Sequence, residues 1–118
     1  MDAEKRSALE ASGVDYEDGL DRFMGNEALY EKFLMKFLAD GSYQSFVNGM
    51  ESGDMHTAEQ AVHTLKGTAG NLSIEPLFYA ADAMVKAIRT KQSPEKLQAL
   101  YKDVQDTYQK VYDVLETL

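Results

Sequence analysis

The sequence predicts an all-α protein, an antiparallel four-helix bundle with an additional short N-terminal helix or helices. Three observations predict it. Apolar residues recur at alternating spacings of three and four over four long segments, the period of helices with one buried face. The links between those segments are short and carry helix start and stop residues. No stretch alternates apolar and polar residues as a strand would, and there is no internal repeat or low-complexity tract. At 118 residues the chain is read as one domain, with residues 1–25 as an N-terminal helical cap and 26–118 as the bundle.

Asp2 to Ala11 forms a short helix with Leu9 as its one large apolar residue, and Gly13 ends it. Asp15 suits an N-cap, and Glu17 and Asp18 favour the positive end of the helix that follows. That helix carries Leu20, Phe23 and Met24, stops near Gly25, and is expected to lie across one end of the main structure. Asn26 caps the next segment, in which Leu29, Phe33, Leu34, Phe37 and Leu38 keep helical spacing up to Gly41. Tyr43, Phe46, Val47 and Met50 continue the pattern. Gly41-Ser42 is either a kink in one helix or a join between two.

Gly53 closes this segment, and Asp54 caps a helix from Met55 to Leu72 whose stripe is Met55, Ala58, Val62, Leu65, Ala69 and Leu72. Ser73 to Pro76 makes the next connection, with Pro76 suited to a first helical turn. Leu77, Ala81, Met84 and Ile88 form the following stripe. Ser93-Pro94-Glu95 then starts the last helix, with a Ser cap, a Pro at the first position and an acid in the first turn. Its stripe runs through Leu97, Tyr101, Val104, Tyr108, Val111, Leu115 and Leu118.

Composition narrows the function. Twenty acidic against twelve basic residues give a net charge of −8, which argues against nucleic acid or an anionic membrane as partner. The absence of Cys excludes disulfides, thiol chemistry and cysteine-ligated metal. There is no leading apolar segment of signal-peptide type and no run long enough to span a bilayer, so a cytoplasmic protein is expected. No glycine-rich loop of the kind that binds ATP is present. Thr64 and Thr68 are hydroxyls without a base beside them.

One helix departs from ordinary patterning. At about 100° per residue, His63 projects roughly 130° from the centre of the 55–72 apolar stripe, so one imidazole faces water in mid-helix. Gly67 lies one turn on, nearly under it, and Gly70 two turns on along the same side. Glycine inside a helix costs roughly 1 kcal/mol against alanine. Two on an exposed face point to a surface that another protein must approach. Lys66, at i+3, can offer a cation to an anion held on His63. The set suits a histidine that carries a phosphoryl group. Gln60 at i−3 or Glu59 at i−4 is a candidate to hold the Nδ1 side of the ring and leave Nε2 free as nucleophile. His56 is two turns away, about 10 Å, too far to share a metal with His63, and no metal site is expected.

The run His63-Thr64-Leu65-Lys66-Gly67-Thr68-Ala69-Gly70-Asn71-Leu72 resembles the signature of histidine-containing phosphotransfer (HPt) domains, roughly His-x-Leu-Lys-Gly-small-Ala-x-x-Leu-Gly. Ser73 stands where that pattern commonly has Gly. A looser likeness extends upstream through Gly13-Val14-Asp15 and Gly19-Leu20 to Asn26-Glu27-Ala28-Leu29-Tyr30. The resemblance implies an antiparallel bundle with the phosphorylated His exposed on one helix. It implies as partners the receiver domains of a hybrid sensor histidine kinase upstream and of a response regulator downstream. Any magnesium ion is expected in the receiver, with no cofactor on this chain. A monomer is expected, and Met1 with the near-complete bundle favours a free-standing protein. The docking patch should be apolar with a polar rim, on the neighbouring 26–39 segment. A second class of function is a helical docking module that binds a receiver as scaffold or inhibitor without transferring phosphate. The intact His63 and Lys66 argue against it. An ATP-dependent kinase lacks its nucleotide motif here.

Overall fold

Side-chain caps start the helices where the sequence places them. Asp2, Asp15, Asn26, Asp54 and Ser93 each accept a hydrogen bond from the backbone N–H three residues on, satisfying one of the donors a helix start leaves free. The computed structural model describes residues 1–118. It contains seven α-helices: α1 (Ala3–Ala11), α2 (Tyr16–Arg22), α3 (Glu27–Lys36), α4 (Ser42–Ser52), α5 (Met55–Asn71), α6 (Glu75–Arg89) and α7 (Pro94–Glu116). A 3-10 turn, Phe37–Ala39, follows α3.

The ambiguity at Gly41-Ser42 resolves as a join. Asp40 is extended, and its carboxylate accepts from both the backbone N–H and the hydroxyl of Ser42, so a new helix begins there.

Helices α4 to α7 are joined by links of two, three and four residues, which forces successive helices to run antiparallel side by side. At 23 residues α7 is about 34 Å long, most of the molecule's 44 Å long axis. Small residues set the closest approach. A Cβ on Gly49 of α4 would lie 2.7 Å from the backbone nitrogen of Ala58 on α5, so these two helices touch backbone to backbone. Farther along, Tyr43 of α4 stacks flat on Tyr108 of α7. No helix is long and apolar enough to cross a membrane.

The N-terminal segment closes the end of the bundle where α5 turns into α6. Val14 and Ile74 form an isolated antiparallel bridge, and the Asp15 N–H donates to the Ser73 carbonyl at 2.9 Å. The Tyr30 hydroxyl, buried, donates to the Leu72 carbonyl at 2.8 Å. Gly13 (φ 111°) has no room for a side chain, because a Cβ would meet the Pro76 ring at 2.8 Å. At the turn, Ser73 holds φ 58°, a left-handed conformation that costs a non-glycine residue roughly 1–2 kcal/mol. This explains why a glycine suits the position. Serine is retained by a contact glycine lacks: its buried hydroxyl donates to Asp18 of α2 at 2.6 Å.

One apolar cluster draws residues from Leu9 to Leu115. On α5, α6 and α7 it contains most of the predicted stripes together with Ala61 and Val85, which those stripes left out, and Met55, Ile88, Leu97 and Leu118 lie at its half-buried margin. The α3 stripe behaves differently. Tyr30, Leu34 and Phe37 are buried, but Leu29 and Phe33 remain 38% and 41% exposed. The spacing marks an amphipathic helix correctly, but α3 sits at the bundle's end, where no element covers the second half of its apolar face.

Candidate functional site

The inner face of α5 fixes the direction of its outer one. Ala58, Val62, Leu65 and Ala69 are fully buried against α4 and α6, so the helix cannot roll. His63 therefore points into solvent from a rigid support. No protein group hydrogen-bonds its imidazole. Beside it the helix surface is bare: a Cβ built on Gly67 meets nothing within 4 Å. The Thr64 and Thr68 hydroxyls donate back to the carbonyls of Gln60 and Thr64, so neither is a free nucleophile and both lie close to the helix.

The flank of His63 toward α6 is closed by ion pairs. Lys66 Nζ lies 2.8 Å from Asp82 Oδ1 on α6, and Lys86 Nζ lies 2.9 Å from the other oxygen, Oδ2. Hydrogen bonds from Lys66 first, then Lys86, hold the Asp82 carboxyl below its usual range. The Lys66 ammonium also stands 5.8 Å from the centre of the Phe78 ring.

Three expectations change here. Glu59 does not orient the imidazole, because Arg89 of α6 holds its Oε1 at 2.6 Å. Gln60 is exposed and makes no side-chain bond to His63, lining instead a shallow polar recess with Ser45, Thr57 and Thr64. Gly70 also has a different reason from the one expected. A Cβ there would press on the Phe78 ring at 3.1 Å, so this glycine serves α5–α6 packing, and the open strip is Gly67 alone.

The opposite flank is open and apolar. Between α5 and the α2–α3 segment runs a groove of about 650 Å³ lined by Phe23, Phe33, Phe37 and Leu72, with Thr68 and Asn71 from α5. Arg22, Lys36 and Asp40 supply its polar rim. Phe23 packs on Phe33 with ring centres 5.5 Å apart, and Lys36 Nζ lies 5.1 Å from the Phe33 centre. The groove lies along the 26–39 segment on which the sequence reading expects a docking patch, and that reading named no residue in it. The same reading missed Asp82, Lys86 and Arg89. The only signal for them was the Asp82/Lys86 pair at i, i+4 on α6, an ordinary surface pattern. No group of three or more His, Asp or Glu side chains is arranged to hold a metal ion.

Chemically, the arrangement offers an unencumbered nitrogen nucleophile, one nearby ammonium already engaged, and a surface with room for a partner on one side. A family model described as the Hpt domain matches residues 28–114, a span that contains His63, Lys66, Gly67 and their α6 neighbours but not Arg22 and Phe23 of the groove. Searches of curated proteins and of solved structures find no match to the chain.

Proposed function

The chain belongs to the Hpt domain family, and from that premise we propose that His63 is the phosphoacceptor of a phosphorelay intermediate. The family's general role is phosphotransfer within two-component phosphorelays, through interaction with receiver domains and without an ATP site of its own.

In the finer reading, a receiver of a hybrid sensor kinase brings its aspartyl phosphate over His63. Nε2 attacks phosphorus in line. The N–P bond forms as the P–O bond to the aspartyl carboxylate breaks, and the electron pair leaves with the carboxylate. The reverse chemistry on a response regulator passes the phosphoryl group on. Such transfers rest on positioning and charge stabilisation. Here α5 does the positioning, Lys66 supplies a cation within one helical turn, and the receiver supplies the magnesium ion. The receiver rests on the bare helix at Gly67 and on the Phe33 groove. The reaction takes place in the cytoplasm.

The observation that carries this reading is the exposed imidazole of His63 on a helix whose inner face is locked, next to a Gly67 with open space above it. The test is transfer from a phosphorylated receiver to wild type and to His63→Gln, followed by acid and base treatment. Acid-labile, base-stable label on wild type alone is the expected result. Receiver binding without label on wild type would replace this reading with that of a docking module.

A further inference from the structure

Lys66, the cation one helical turn from His63, is not free. It is tied to Asp82, and Asp82 is held a second time by Lys86. This doubling matters. A carboxylate with one cationic partner is left unpaired when that partner moves, whereas Asp82 keeps Lys86 when Lys66 departs. The other carboxylate on this flank, Glu59, is already answered by Arg89. Lys66 can therefore exchange partners without stranding a charge, and its pair with Asp82 is partly exposed, so the exchange requires only rotation of a flexible side chain.

We propose that Asp82 is a positioning residue that competes with the phosphoryl group on His63 for Lys66, and so sets how firmly the phosphoryl group is held. The inference rests on His63 being the acceptor. While His63 is unmodified, Lys66 rests on Asp82, within one helical turn of the imidazole. Once the N–P bond exists, the dianionic phosphoryl oxygens draw Lys66 across, and Lys86 alone neutralises Asp82. The gain from the phosphoryl contact is reduced by the loss of the carboxylate contact. A phosphoryl group held this way is easier to give up than one facing an uncommitted lysine.

The test measures a partition without any protein partner. In a His56→Gln background, which leaves His63 as the one histidine, the protein is equilibrated with phosphoramidate at a fixed phosphoramidate-to-ammonia ratio. The phosphohistidine fraction is read by phosphorus NMR. Asp82→Asn should raise the phosphorylated-to-free ratio roughly three- to fivefold, the range of one partly exposed ion pair. Asp106→Asn makes the same charge change at the exposed Lys102–Asp106 pair on α7 and should leave the ratio unchanged. In a Lys66→Gln background, Asp82→Asn should shift the ratio by less than about twofold. Thermal melts confirm that each variant is folded.

An unchanged ratio in Asp82→Asn would overturn the proposal and leave Asp82 as a tie between helices. An equal rise with and without Lys66 would also overturn it, reducing the effect to simple repulsion. Failure of the acceptor assignment looks different: no receiver would label His63, whatever phosphoramidate does.

Discussion

On the inner face of α5, Ala58, Val62, Leu65 and Ala69 have no exposed surface, and Gly49 of α4 lets the two backbones meet at Ala58. On the outer face, His63 is exposed and a Cβ on Gly67 would meet nothing within 4 Å. Both faces use glycine, for opposite ends. Gly49 is small because something is there, and Gly67 leaves open space where, on the proposed reading, a receiver arrives. Because one face is fixed, the other can afford to be unsupported. A nucleophile without hydrogen-bond partners keeps its direction only if the helix beneath it does not move.

Substitutions can break this comparison or sharpen it. The largest contrast is His63→Gln against Leu65→Ala. His63→Gln should abolish phosphoryl acceptance while changing stability by less than about 0.5 kcal/mol. Leu65→Ala should cost about 2–5 kcal/mol in urea unfolding while sparing acceptance in the fraction that remains folded. Next is Gly49→Ala, whose methyl meets backbone and cannot be relieved by rotation. About 1–3 kcal/mol of stability should be lost, measured by the same unfolding curves. Gly67→Ala should do the reverse, raising stability by roughly 0.5–1 kcal/mol through helix propensity. It should still slow transfer from a receiver about tenfold, a loss of about 1.4 kcal/mol in docking. If Gly67→Ala is faster than wild type, the outer face is not where a partner lands.

The smallest effect concerns acid. Hydrogen bonds from Ser73, then Arg22, hold the Asp18 carboxyl below its ordinary range. A carboxyl lowered on folding contributes stability that is present above its unfolded pKa and is lost as pH falls through the lowered value. Asp18→Asn should therefore flatten the acid limb of a melting-temperature profile and leave the slope near neutrality unchanged.

Much of this was legible in the residues. The caps at Asp15, Asn26, Asp54 and Ser93, the buried stripes of α5 and α7, and the outward direction of His63 follow from local chemistry and the 3.6-residue period. What was not legible depends on a second helix. Gly70 lies about 60° around α5 from Gly67, a turn that carries it from open solvent to the Phe78 ring. Glu59 stood next to His63 in the helical count, but its partner Arg89 is thirty residues away. Leu29 and Phe33 share a helix face with buried neighbours, and periodicity cannot say where the covering element stops. Ser73 hid a backbone requirement that only its φ reveals.

The openness at Gly67 has a cost in time. On the proposed reading, the opening that admits a receiver to His63 also admits water, so a phosphoryl group carried there would stay exposed to hydrolysis until it is passed on. On that reading the chain itself supplies no enclosure that would prolong the signal. The abundance and encounter rate of the next acceptor, more than any pocket on this chain, would then decide how much of each signal gets through.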